Sequence, residues 1–112
     1  MDDLKIPEGL KGLGRAAADM ILNTARAACG GEISTGGCRA FYSPAQWKDR
    51  DEEYGTKSLL VVVHDGGDLA RFFNHDYMDY KAIEQMDKAL RAMGVYAESC
   101  TCWYTAIYKD KV

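Results

Sequence analysis

The sequence predicts an α+β domain, in which helices pack on one face of a four-stranded, mainly antiparallel sheet. Three observations point to this class. Residues 59–63 form the longest uninterrupted apolar run, which is typical of a strand covered on both faces. Residues 95–108 are rich in the aromatic and β-branched residues that strands favour. Two further stretches, 8–28 and 80–93, place apolar residues at helical spacing.

The bulk composition predicts one domain over residues 1–112, with residues 1–8 loosely held. Apolar residues make up 47% and charged residues 28%, which is ordinary for a globular protein. The net charge is -3 and no Lys/Arg-rich run occurs, which argues against a nucleic-acid partner. No apolar run approaches the ~20 residues of a membrane span, and the start lacks a secretory pattern. We therefore expect a cytoplasmic protein without a membrane partner.

The first half of the chain predicts a helix, a short strand and a second helix. The first helix starts at Pro7 or Glu8, runs to about residue 28 and is ended by a glycine pair. Residues 38–42 read as a strand. The segment 43–46, Ser-Pro-Ala-Gln, is a capping box with proline at the tolerated first helical position. It predicts a mostly solvated helix over residues 45–54.

The second half predicts a central hairpin, a long helix and a last strand. Gly66 and Gly67 supply the positive φ angles of a tight turn between the apolar strand and a return strand over residues 69–73. The next helix follows a cap at Asn74 or Asp76 and ends at Gly94. Residues 95–108 are then one long strand, with a bulge or bend expected within it.

After the first helix, this element order is β-α-β-β-α-β, the order of a ferredoxin-like fold. In that fold the second strand lies at an edge of the sheet, whereas here it is the most hydrophobic strand. Either the strand order differs, or that edge is covered by the first helix or by a second subunit. The sequence leaves the strand order open, and a homodimer formed through the second strand is compatible with it.

The mouth of the predicted hairpin holds His64, Asp65 and Asp68, which are candidate catalytic residues. Imidazole with carboxylates is the composition of an acid–base pair or a hydrolytic metal site. His75 lies at the far end of the hairpin, about 17 Å away, which is too far for shared ligation. The alternative is that both aspartates only stabilise the turn by bonding to its backbone.

Four cysteines, at positions 29, 38, 100 and 102, raise the possibility of a zinc site. Cys100 and Cys102 are the candidate metal ligands. One intervening residue on a strand, however, lacks the bend that zinc knuckles provide. We expect reduced thiols, and neither a metal nor another cofactor.

The chain carries more aromatic side chains than a core of this size can cover completely. Tyr and Trp are enriched at interfaces because they bury a large area at low entropic cost. The candidate binding surface comprises Tyr42, Trp47, Tyr54, Tyr96, Tyr104 and Tyr108. The alternative is that these rings complete the core and direct only their polar tips to water.

Three blocks of the sequence resemble small uncharacterised proteins of phages, prophages and other mobile elements. They are GGCRAFYSPAQW (36–47), LLVVVHDGGDLARFFN (59–74) and ESCTCWYTAIY (98–108). The resemblance implies an accessory gene product, a class that includes inhibitors and modulators of host proteins such as anti-CRISPRs. It carries over no catalytic residue.

These observations support three functional hypotheses. The first is a small soluble binding protein that acts through protein–protein contacts and has no turnover. The second is an enzyme or metal-binding protein with its site at residues 64–68. The third is a small-molecule binder with an aromatic pocket between the sheet and the helix over residues 80–93.

Overall fold

The computed structural model describes residues 4–35, 37, 39–52 and 54–110, and it confirms the α+β class. Helices pack on a four-stranded antiparallel sheet whose strand order is β1-β2-β4-β3. The α-helices are α1 (Gly12–Cys29), α2 (Pro44–Asp49), α3 (Ala70–Phe73) and α4 (Tyr80–Ala92). The strands are β1 (Phe41–Tyr42), β2 (Leu60–Val63), β3 (Val95–Ser99) and β4 (Tyr104–Lys109). A 3₁₀ turn, His75–Tyr77, separates α3 from α4.

Strand β2 lies in the interior of the sheet, which explains its apolar sequence. It pairs with β1 on one side and with β4 on the other. All four of its residues are buried. The strand order therefore differs from the ferredoxin-like one. Strand β2 is therefore not an edge strand, and it offers no free edge for pairing with a second subunit.

The predicted return strand over residues 69–73 is also wrong, because Ala70–Phe73 is a short helix. The places on either side of β2 are taken by β1 and β4, so no edge remains for a return strand. Gly66 and Gly67 do adopt positive φ angles, but they lead the chain into α3. The order β-α-β-β-α-β is thus replaced by β-α-β-α-α-β-β.

The fourth strand comes from the last segment, which was predicted as one long strand but forms the β3–β4 hairpin. Its turn is stabilised by the Thr101 hydroxyl, which accepts hydrogen bonds from the backbone N–H groups of Trp103 and Tyr104 at 3.2 and 3.3 Å. Such side-chain turns need neither glycine nor proline, so the sequence pattern alone does not reveal them.

The helix ends follow the predicted local signals, with shorter spans. Gly30 is left-handed (φ 84°) and closes α1. The capping box is confirmed, since the Ser43 hydroxyl accepts from the Gln46 N–H and the Gln46 side chain accepts from the Ser43 N–H. The helix α2 that it opens ends at Asp49, shortly before Asp51 with its positive φ of 64°. Helix α4 is capped by Asp79 instead of Asn74 or Asp76.

Most of the helices pack on one face of the sheet, as predicted, and the short helix α2 lies on the other face. Helices α1, α3 and α4 bury the inner face, where Leu60, Val62 and Ile107 lie at the centre of the main core. On the outer face, Trp47 of α2 packs with Val61 and Tyr104 in a second, smaller cluster. Successive side chains of β2 point to opposite faces of the sheet, so this one strand contributes to both cores.

Gly14 sets how closely α1 approaches the chain at the start of β2. A Cβ atom there would lie 2.5 Å from the Leu59 carbonyl oxygen, a backbone atom that cannot turn aside. In an exposed helix, Gly→Ala stabilises by about 1 kcal/mol. We expect Gly14→Ala to destabilise the protein instead, by about 1–3 kcal/mol, because α1 must move off the strand.

Urea unfolding monitored by circular dichroism would measure this change. Gly9→Ala is the matched control, because nothing lies within 4 Å of a Cβ atom at Gly9, and it should alter the free energy of unfolding by less than about 0.5 kcal/mol. A Gly14→Ala variant as stable as the wild type would show that this helix–strand contact is not tight.

Candidate binding site

A cleft of about 380 Å³ opens on the inner face of the sheet, between α4 and the end of β3. It forms because the middle of α4 packs down through Met86, whereas Tyr80 in its first turn is 60% exposed and leaves the sheet uncovered. The apolar lining consists of Phe72, Phe73, Ile83, Met86 and Ala97, and the polar lining of His75, Tyr80, Glu84, Asp87, Ser99 and Thr105. This volume lies in the range of ligand sites in proteins.

The cleft adjoins an open edge of the sheet, because β3 is the last strand in the order β1-β2-β4-β3. The Asp110 N–H donates to the Gly94 carbonyl, and the Cys100 N–H donates to the Tyr104 carbonyl. In an antiparallel ladder hydrogen-bonded pairs alternate with non-bonded pairs. The backbone N–H and C=O groups of Val95, Ala97 and Ser99 therefore point away from β4, and no described residue pairs with them.

A buried polar pair lies at the floor of the cleft. Nε2 of His64 is 2.8 Å from the Oγ1 of Thr105, and Thr105 lines the cleft. His64 is 2% exposed, and its ring stacks on Phe73 with a centroid distance of 5.4 Å. Nδ1 of the same ring is buried and has no hydrogen-bond partner among the described residues.

This environment keeps the imidazole uncharged at neutral pH. Burial lowers the pKa of His64 from its ordinary 6.5 to about 4. The backbone carbonyl of His64 itself and the carboxylate of Asp65 act in the opposite direction, but more weakly. A neutral, buried imidazole that stacks on a phenyl ring is suited to positioning its neighbours.

The predicted catalytic group of His64, Asp65 and Asp68 is not formed, because the hairpin that would have brought these residues together does not exist. His64 faces the inner core and bonds Thr105. Asp68 connects the segment after β2 to the loop at Ser34. Its carboxylate accepts a hydrogen bond from the Ser34 N–H at 2.7 Å, and its own N–H donates to the Ser34 carbonyl. Asp65 is exposed and lines a different depression on the outer face.

The predicted aromatic surface divides into a buried and an accessible part. Trp47 is 0% and Tyr104 2% exposed, so the prediction that they belong to a contact surface is wrong. Their rings lie 4.8 Å apart and fill the outer core. Tyr54 is 52% exposed, and half-buried Tyr96 and Tyr108 stack on each other at 5.8 Å. These three remain available for contacts.

Tyr54 and Tyr108 line a shallow groove of about 410 Å³ on the outer face, beside Glu98 and Ser99 of β3. Strand β3 is thus flanked by a depression on each face of the sheet. On one side lies the apolar cleft under α4, and on the other the tyrosine groove. An edge strand with a pocket on each face offers a row of backbone groups and two sets of side-chain contacts.

Tyr42 is half-buried beneath two arginines that the sequence reasoning did not single out. The Arg39 and Arg50 guanidinium carbons lie 4.6 and 5.2 Å from the centre of its ring, in cation–π geometry. Arg50 also donates to the Tyr42 hydroxyl at 3.2 Å and pairs with Glu52 at 3.4 Å. These contacts complete the rim of the outer core.

The described cysteines, Cys29, Cys100 and Cys102, are free thiols. Cys100 and Cys102 lie in the β3–β4 turn instead of on a strand, which corrects their predicted setting. Cys29 ends α1, and Cys38 lies outside the described residues. Within residues 4–35, 37, 39–52 and 54–110, no three His, Cys, Asp or Glu side chains are grouped to hold a metal ion. Burial raises the pKa of the Cys100 thiol, which disfavours its reactive thiolate form.

The cleft residues missed by sequence reasoning are chiefly Ser99, Thr105, Glu84 and Asp87. They come from three elements, β3, β4 and α4, and only the corrected strand order brings them together. The third functional hypothesis did place a pocket between the sheet and the helix over residues 80–93. Because that helix was predicted to pack on the sheet, a pocket in this location was foreseeable, although most of its lining was not.

Comparisons with known proteins returned no matching family model, no similar curated protein and no similar solved structure. None of the helices in the described part of the chain is long and apolar enough to cross a membrane. The site must therefore be interpreted from its own geometry.

Proposed function

We propose that this protein binds an extended segment of a partner protein along the edge of β3, so that the segment adds a fifth strand to the sheet. The observation that carries the proposal is the open edge at Val95, Ala97 and Ser99, next to an apolar cleft. Unpaired edge groups are a template for another strand, and proteins that do not use such an edge usually protect it.

The two depressions beside β3 suit the alternation of side chains in a bound strand. Successive side chains of an extended segment point to opposite faces. One set would enter the cleft beneath α4, above Phe72 and Met86, and the other would lie on Tyr108 and Tyr54 in the outer groove. Backbone pairing would supply affinity, and the two depressions would supply specificity.

The resemblance to accessory proteins of mobile elements indicates where such a segment would come from. A modulator or inhibitor that captures a strand of a host protein needs an edge and pockets but no catalytic group. The neutral, buried His64 agrees with a binding role. Protein–protein contact without turnover is therefore the function we propose.

A random peptide library displayed on phage would test this proposal, with the full chain as bait. We expect selected peptides to share alternating apolar positions. Titration of one synthetic peptide should shift the backbone amide NMR signals of Val95–Ser99 and give inter-strand contacts there. Ala97→Trp, which fills the cleft, should weaken binding at least about tenfold, because the peptide side chain loses its pocket.

Ala16→Trp provides the matched control, because it makes the same change at an exposed position on α1 and should leave the affinity unchanged. Ala97→Pro removes an outward-facing N–H and no N–H of the β3–β4 ladder, so it should weaken binding while β3–β4 pairing survives. The proposal fails if no peptide is selected, if shifts map away from β3, or if both tryptophan variants bind equally. Dimers that compete with the peptide would identify a second copy of this chain as the occupant.

A small-molecule binder is the second candidate function, and the volume of the cleft together with the apolar part of its lining favours it. A small ligand would shift the amides of Ala97 and Thr105 and leave no new hydrogen-bond partner on the strand edge. Hydrogen exchange at the outward N–H groups of Val95, Ala97 and Ser99 distinguishes peptide binding from small-molecule binding. A paired peptide slows that exchange, and a small ligand does not.

A further inference from the structure

We infer that Thr105 makes the cleft selective for an apolar group that carries an uncharged hydrogen-bond acceptor, such as a carbonyl. This inference rests on the cleft being part of the proposed binding site. It names the chemistry of the side chain or small group that the cleft accepts. The position of one proton of His64 determines whether the Thr105 hydroxyl is free to donate.

A neutral imidazole carries one N–H, on either Nδ1 or Nε2. Nδ1 of His64 is buried and lacks a hydrogen-bond partner among the described residues, although the residue's own carbonyl lies nearby. Nε2 lies 2.8 Å from the Thr105 hydroxyl oxygen. Buried N–H groups without an acceptor are rarer than unused lone pairs, so the proton belongs on Nε2. His64 is therefore the donor, and Thr105 accepts.

The Thr105 hydroxyl then has its own hydrogen to donate. Among the described residues its one hydrogen bond is the one to His64, so its O–H has no acceptor there. Thr105 is buried at the floor of the cleft, and the residue lines it. The unused donor is thus available to a group that fills the cleft and displaces water from it.

The surrounding side chains restrict what that acceptor is. Phe72, Phe73 and Met86 require an apolar body. Glu84 and Asp87 also line the cleft, where their carboxylates pair with Lys88 and Arg91 of α4, and none of the described lysines or arginines lines the cleft to hold an anionic acceptor. An uncharged carbonyl or amide oxygen on an aromatic or aliphatic body satisfies both conditions. A carboxylate does not.

Two probes of the same shape test this selectivity, acetophenone and α-methylstyrene, in which C=CH2 replaces C=O. Their affinities would be measured from the NMR shifts of Ala97 and Ser99 in the full chain. For each variant, the affinity for acetophenone is divided by the affinity for α-methylstyrene. Comparing this ratio between variants cancels the difference in hydrophobicity between the two probes. We expect Thr105→Val to reduce the relative affinity for acetophenone about three- to tenfold, and Thr105→Ser to retain it.

The tautomer of His64 is measured independently from its ¹⁵N shifts, and this readout needs no variant. We expect the proton on Nε2. A proton on Nδ1 overturns the inference, because Thr105 would then donate to His64. An unchanged probe ratio in Thr105→Val, or the absence of probe shifts at the cleft, also overturns it. The peptide selection reports on the β3 edge separately, so it can succeed where this inference fails.

Discussion

Trp47→Ala is expected to lower the free energy of unfolding by about 3–5 kcal/mol, a large part of the stability of a domain of this size. The indole is completely buried and packs between Tyr42 and Tyr104, with ring centroids at 5.0 and 4.8 Å. Its N–H donates to the Tyr54 carbonyl at 3.0 Å. Truncation removes this hydrogen bond and leaves a cavity at the centre of the outer core.

The loss can be divided between packing and hydrogen bonding. Trp47→Phe keeps most of the buried ring and loses the N–H donor, and we expect it to cost about 1–2 kcal/mol. That cost is limited because the Tyr104 hydroxyl also donates to the Tyr54 carbonyl, at 3.4 Å. Urea unfolding followed by far-UV circular dichroism measures both variants.

Tyr80→Ala is the comparison for Trp47, because Tyr80 is also a large aromatic residue but is mostly exposed. It should change the free energy of unfolding by less than about 0.5 kcal/mol. If Trp47→Ala cost no more than Tyr80→Ala, the outer core would not be a structural unit, and Trp47 would again be a candidate for a contact surface.

The buried position of Trp47 depends on long-range packing, which local sequence signals do not contain. Local signals predicted the capping box at Ser43, the glycine at the end of α1 and the apolar strand β2, because each depends on neighbours in the chain. Whether an aromatic ring lies inside or outside depends on which face of the sheet α2 covers. That is a long-range property, and spacing within α2 does not contain it.

The two wrong strand assignments have one physical cause. Residues 69–73 and 104–109 both have strand-like composition, and they compete for the same edge of β2. The segment Tyr104–Lys109 occupies this edge, and four of its residues pair with Leu60–Val63. Ala70–Phe73 then buries its apolar side chains as a helical turn. A propensity argument treats each segment alone and does not see this competition.

The candidate site depended on the same choice. Because β4 pairs with β2, the hairpin places β3 at the edge and brings Thr105 beneath α4, next to His64. The sequence suggested His64 as a functional residue on its composition alone, but it assigned the wrong neighbours. With Thr105 as its partner, His64 is a buried neutral group, and its effect on stability becomes predictable.

Acidification should destabilise the protein through His64, by on the order of 3 kcal/mol between pH 7 and pH 4. The pKa of His64 is about 4 in the folded protein, below its ordinary 6.5. Between these values the unfolded chain binds a proton that the folded chain does not. The contribution of neutral His64 to the free energy of unfolding is therefore full above pH 6.5. It falls as the pH decreases toward 4, where His64 of the folded protein also becomes protonated.

Urea unfolding at a series of pH values, compared between the wild type and His64→Gln, isolates this contribution. Glutamine does not titrate, and its amide can still donate to the Thr105 hydroxyl. We expect the wild type to lose more stability than His64→Gln over this range. Parallel curves for the wild type and His64→Gln would contradict the burial of His64.

Protonation of His64 also affects the cleft, because His64 contacts Thr105 at its floor. Protonation of His64 places a proton on both ring nitrogens, so that Nδ1 becomes a buried, charged donor that has the residue's own carbonyl nearby and no other hydrogen-bond partner among the described residues. We expect this buried charge to loosen the contacts that His64 makes with Phe73 and Thr105. Below about pH 5 we therefore expect faster hydrogen exchange at Val63, His64 and Thr105 in the wild type, while His64→Gln stays protected. A wild type that loses stability without this local change would indicate that the destabilisation comes from charges elsewhere on the chain.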